Sequence, residues 1–137
     1  MIKSNVGHLQ INIKPQNISF YKALFNFLGW QVLHEEEGMI GVGDEHGASL
    51  WFGGPVKDGK NDYDGIGMNH LAVAVPKPAD VDESVEYLKK NGVKALFDTP
   101  RHRPEFCGTP DKDYYQVMFE SPDRILFEIV YIGPPIE

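Results

Sequence analysis

Two stretches decide the fold: His8-Leu9-Gln10-Ile11-Asn12-Ile13 and His70-Leu71-Ala72-Val73-Ala74-Val75. Each alternates aliphatic and smaller or polar residues, the period-two signature of a half-buried strand. Each leads into a helical pattern. After Pro15-Gln16-Asn17, the residues Ile18, Tyr21, Leu24, Phe25 and Leu28 recur at helical spacing until Gly29. After Pro76-Lys77-Pro78, Val81, Val85 and Leu88 do the same until Gly92. Asp80, Asp82 and Glu83 open the second helix and Lys89 and Lys90 close it, which complements the helix dipole. Three strands then follow in each half. Trp30 to His34, Met39 to Val42 and Ala48 to Phe52 are predicted in the first, with glycines between them. Val93 to Leu96, Tyr114 to Phe119 and Ile125 to Ile132 are predicted in the second. The chain is thus a β-α-β-β-β unit written twice.

The predicted fold class is α+β: two βαβββ modules forming a cup-shaped mixed sheet with helices on the outer face. One domain spans 1–137, with a first module at about 5–52, a linker at 53–65 and a second module at about 66–132. Half of that length is marginal as an independent core, so the copies are expected to fold as one domain. The second half carries an extra segment, Phe97 to Asp113, rich in proline and charge.

Composition narrows the function. With 20 acidic residues against 13 basic ones and a net charge of −7, no global footprint for nucleic acid exists. One cysteine makes no internal disulfide. No apolar run approaches a membrane span, and Met1 to Asn5 lacks a signal-like apolar core. A soluble, cytoplasmic protein is expected.

Alternation then assigns faces. Leu9, Ile11 and Ile13 share one face of the first strand, and His8, Gln10 and Asn12 the other. Leu71, Val73 and Val75 oppose His70, Ala72 and Ala74 in the repeat. The aliphatic faces suit a helix, so a histidine begins the opposite face in both copies. In the last strand, Glu128 is the one acid among apolar residues, sharing a face with Leu126 and Val130. A carboxylate there needs a pair, a hydrogen bond or a cation. His8, His70 and Glu128 make a 2-His-1-carboxylate set suited to a divalent Fe, Mn, Ni or Zn ion. The plainer reading is two structural histidines and an exposed glutamate; the repeat favours the metal.

These residues resemble the vicinal-oxygen-chelate superfamily, which groups glyoxalase I, extradiol dioxygenases, fosfomycin-resistance and bleomycin-binding proteins. The resemblance rests on Gly7-His8-Leu9, the run Phe20 to Trp30, Asn69-His70-Leu71-Ala72-Val73, and the ending Phe119 to Glu128. It implies a metal held by His8, His70 and Glu128. In the fuller family pattern a fourth ligand comes from the last strand of the first module. Aligning Pro55 with Pro134 places Ser49 there, a poor ligand, which leaves three. Arg101-His102-Arg103 resembles a loop of extradiol dioxygenases and offers His102 as the catalytic acid/base. The tyrosine those enzymes carry ten residues before the acid is Met118 here, and the turn glycine is Arg124. A tail without a basic residue argues against fosfomycin as substrate.

The leading expectation is a metal-dependent enzyme that chelates adjacent oxygens of a small-molecule substrate, by lyase or isomerase chemistry or by extradiol-type oxygenation. Ser49, Trp51, Arg101, Arg103, Tyr115 and Met118 are the expected substrate pocket, with Gln116 beside Met118. The arginines suit an anionic substrate, although a solvated loop is their default. The alternative is a metal-free binding protein of the bleomycin-resistance type. His34 and His46 are expected at the surface, Glu35 to Glu37 in a turn, and Cys107 as an ordinary thiol. No nucleic acid and no membrane are expected as partners; the resemblance is compatible with a homodimer.

Overall fold

The computed structural model describes residues 1–136. The chain divides into two compact units, Met1–Lys60 and Asn61–Glu137. The first contains β1 (His8–Asn12), a 3-10 turn at Pro15–Asn17, α1 (Ile18–Phe27), β2 (Gln31–Glu36), β3 (Met39–Gly43) and β4 (Ser49–Gly53). The second contains β5 (Leu71–Ala74), α2 (Pro78–Lys90), β6 (Leu96–His102), a 3-10 turn at Pro104–Phe106, β7 (Asp113–Glu120) and β8 (Leu126–Gly133). The order of elements repeats, as the two quoted stretches require.

Each unit builds one four-stranded mixed sheet, with orders β1-β4-β3-β2 and β5-β8-β7-β6. In both, the first strand runs parallel to the last, because the helix returns the chain across one face. That face is the aliphatic one. In the first unit, Tyr21, Leu24 and Phe25 of α1 are buried with Ile11, Ile40, Val42, Leu50 and Phe52. Tyr21 stacks on Phe52 with ring centroids 4.5 Å apart. In the second, α2 contributes Val81, Val85 and Leu88, and the strands Val117, Phe119, Phe127 and Ile129. Pro78 stands in the first turn of α2, and the Asp80 carboxylate accepts the Lys77 backbone N–H at 3.0 Å, stopping the helix from fraying backward.

Two irregularities set which side chains reach the open faces. Between Val32 and His34 the β2–β3 register shifts by one residue. Glu35 consequently turns to the helix side, where Lys22 of α1 meets it at 2.9 Å, and His34 lies opposite Gly41 on the open side. The second irregularity corrects the reading of the extra segment. The predicted strand Val93 to Leu96 lies almost wholly before β6, and Arg101 and His102 are in the ladder rather than in a loop. Leu96 pairs with Met118 and Arg101 with Gln116, so the intervening residues bulge out. Phe97 and Asp98 both have φ of 56°, in the left-handed region. Thr99 bridges the gap: its hydroxyl donates to Leu96 O at 2.6 Å and accepts from the Met118 N–H at 2.9 Å.

Residues from Asn61 onward belong to the second unit, where the Asn61 N–H donates to Asp123 O at 3.1 Å.

Candidate functional site

Glu128 sits in β8 directly opposite Met118 of β7 and beside Ala72 of β5. It is 3% exposed. A carboxylate removed from water this far requires partners for both oxygens. The Tyr114 hydroxyl donates to Oε1 at 2.6 Å. Oε2 lies 4.0 Å from His70 Nε2. Burial and the neighbouring carboxylate together push the Tyr114 phenol well above its ordinary pKa, so Tyr114 is a standing donor. The other ring nitrogen of His70, Nδ1, lies 2.8 Å from Asn69 Oδ1. The second unit thus places a histidine nitrogen and a carboxylate oxygen face to face, each side chain held from behind.

The rest of that open face follows from register, because residues opposite each other in an antiparallel pair share a face. Gln116 pairs with Val130 and Arg101 with Gln116, so both belong to the Glu128 face with Met118. Gln116 is 4% exposed and its Oε1 has no hydrogen-bond partner among the described residues. Arg103 lies over the Phe106 ring at 4.2 Å and pairs with Glu105 at 2.5 Å. Phe106 in turn meets Tyr114 edge-on at 5.4 Å. The 3-10 turn therefore abuts the tyrosine that holds Glu128.

Two expected site residues lie elsewhere. Tyr115 faces α2: its hydroxyl donates to Asp82 at 2.5 Å. His102 stacks on Tyr115 at 4.3 Å and its Nδ1 lies 2.6 Å from Asp113 Oδ2. Both are on the helix side of the sheet, opposite to Glu128, so neither reaches it. Strand parity is the physical reason. Residues 115 and 118 are an odd number apart and cannot share a face of a regular strand, whereas Tyr114, Gln116 and Met118 can. That parity was the signal that could have picked out Tyr114.

In the first unit, His8 begins β1 opposite Ser49, and Gln10 is opposite Trp51. Continuing the β5–β8 ladder one pair back from Leu71–Phe127 puts His70 level with Leu126. Ser49 is therefore the counterpart of Leu126, and Trp51 that of Glu128, which corrects the proline-based alignment. The Trp51 indole lies over Gly41, where an added Cβ would come within 2.5 Å of the ring. Its N–H donates to Ser49 Oγ at 3.0 Å, and the His34 ring is 6.0 Å away. Ser49 thus orients an aromatic surface.

The donor chemistry of His70 and Glu128 fits a divalent ion: one imidazole nitrogen, one carboxylate oxygen, and outer partners that fix both. No group of three His, Cys, Asp or Glu side chains able to cage an ion occurs among the described residues. No helix among them is long and apolar enough to cross a membrane.

Comparison with known proteins agrees with the fold. Protein YqjT of Bacillus subtilis (strain 168), described as uncharacterized, is 37% identical over 65 residues, which is 47% of this chain and 47% of that protein. The match thus spans about half the length of that relative. A crystal structure from Bacillus halodurans, described as "a putative glyoxalase", superposes with a TM-score of 0.76 at 26% identity, covering 92% of this chain and 94% of that one. A glyoxalase/dioxygenase from Nostoc punctiforme gives 0.68 at 19% identity, covering 96% and 92%, and shares the fold. The model of the Glyoxalase/Bleomycin resistance protein/Dioxygenase superfamily matches residues 6–129, and this chain belongs to that superfamily.

Proposed function

We propose that the protein is a metal-dependent enzyme acting on a small, oxygen-bearing anionic molecule, with His70 and Glu128 as two ligands of a divalent ion. The observation that carries this reading is the buried Glu128, with one oxygen held by Tyr114 and the other turned toward a histidine nitrogen. A bound ion would supply Lewis-acid polarisation of substrate oxygens. The chain's own residues do the rest. Tyr114 keeps Glu128 fixed. Arg101, whose register puts it on the Glu128 face, offers a guanidinium to a substrate anion. The Gln116 carboxamide, lacking a partner for its oxygen, offers a hydrogen bond to a substrate hydroxyl or amide. His102, on the other face, is not given the role of acid/base.

Metal analysis after growth with Mn, Fe, Ni and Zn tests this. The expected result is near-stoichiometric metal in the wild type and its loss in His70→Ala. Metal-free protein under all four supplements, or retention in His70→Ala, would refute it.

A second reading, a metal-free binding protein, draws on Trp51. At the place equivalent to Glu128, the first unit presents an indole, a surface for a flat ligand. It predicts ligand affinity that is indifferent to chelators and to Glu128→Gln.

A further inference from the structure

We propose that Asn69 is a positioning residue that locks the His70 imidazole as its Nδ1–H tautomer and leaves the Nε2 lone pair turned toward Glu128. The argument begins with Tyr63, whose backbone carbonyl can only accept. The Asn69 side-chain atom 3.0 Å from that oxygen is therefore the amide nitrogen, Nδ2. The carboxamide is planar, so its oxygen is the end that meets His70 Nδ1 at 2.8 Å. A carboxamide oxygen only accepts, so Nδ1 carries the proton. A neutral imidazole has one N–H, and Nε2 is left as a bare donor atom 4.0 Å from Glu128 Oε2. A free histidine in water prefers the other tautomer, with the proton on Nε2. The ring is 37% exposed, so water alone would not enforce the choice.

What holds Asn69 is unusually built for a connecting segment. Tyr63 is 7% exposed. Its hydroxyl donates to Glu120 at 2.5 Å, and the Arg124 guanidinium covers its ring at 4.4 Å. Arg124 also reaches Glu120 at 3.5 Å and Asp62 and Asp64 at 3.8 and 3.9 Å. Arg124 has a φ of 61° at the turn between β7 and β8, a place that favours glycine. The arginine that departs from the turn pattern is thus the clamp that pins residues 61–64 to the turn. The Tyr63 carbonyl and the Asn69 amide pass that rigidity to the His70 ring. The service of this lock to a metal rests on the function proposed above; the tautomer itself does not.

The experiment is long-range proton–nitrogen NMR on metal-free, nitrogen-15 histidine-labelled protein, at a pH where the His70 spectrum is that of a neutral ring. Wild-type His70 should show a protonated Nδ1 and an unprotonated Nε2. Asn69→Leu should move the proton to Nε2 and weaken binding of added Zn²⁺ by about 10- to 100-fold. A wild-type ring protonated on Nε2 overturns the proposal even if no variant folds, and so does an Asn69→Leu spectrum with the wild-type tautomer. A wild-type ring protonated on Nδ1 that ignores Zn²⁺ overturns the metal reading alone and supports the lock.

Discussion

The two units share element order and strand topology, yet their open faces are chemically opposite at the equivalent position. In the second unit that position is Glu128, facing Met118 and bonded to Tyr114. In the first it is Trp51, lying over Gly41 and bonded to Ser49. The backbone ladder dictates the location and direction of a side chain, and leaves its chemistry free. The partner across the strand pair then adapts. An indole needs a glycine beneath it, and a buried carboxylate needs a hydroxyl beside it.

The sharpest way to break this comparison is to remove the acid. Glu128→Gln should lower Zn²⁺ affinity by more than the roughly 10- to 100-fold typical of losing an outer partner, whereas Trp51→Ala should leave it unchanged. Calorimetric titration checks both, and equal losses would mean that the two positions are not chemically distinct. Next in size is Tyr114→Phe, which leaves a buried carboxylate oxygen without its donor. Urea unfolding of the metal-free protein should show a loss of about 1.5–3 kcal/mol. A null result would mean that water replaces the phenol.

Gly41→Ala should cost about 1–3 kcal/mol by overpacking against Trp51, and Trp51→Ala in the same chain should relieve it. If the double variant is no more stable than the single one, the glycine is there for another reason. The smallest effect concerns the helix-side face. Burial, and then the bond to Asp82, push Tyr115 up to about 12 from 10.0. The folded state holds this proton more tightly than the unfolded state. Its contribution to stability is therefore complete below pH 10.0 and is lost as pH rises through about 12. Tyrosinate absorbance should show a late-ionising phenol that disappears in Tyr115→Phe; an unchanged titration would remove Tyr115 from the helix-side contact.

Much of this architecture was legible because it is local and periodic. His8 to Ile13 and His70 to Val75 announce strands by alternation, and Ile18 to Leu28 announces a helix by its stripe. The candidate acid was legible too, since a single glutamate in Ile125 to Tyr131 conflicts with its surroundings unless partnered. Where the reading went astray, a count of residues stood in for a ladder. The proline alignment matches Ser49 to Glu128, but the strand register makes Trp51 its counterpart. The resemblance offers His102 as acid/base and the pocket reading includes Tyr115, but strand parity turns both to the helix.

The sequence by itself determined two βαβββ units, the helix-covered face of each sheet, and the presence of His70 and Glu128 on the other. These follow from periodicity, because burial of one face selects one register of side chains. Only the tertiary structure decided that Tyr114 holds Glu128 and that Asn69, hung from Tyr63, holds His70. Those partners are brought together by strand pairing and by the fold of a connecting segment, and their spacing along the chain carries no periodic signal.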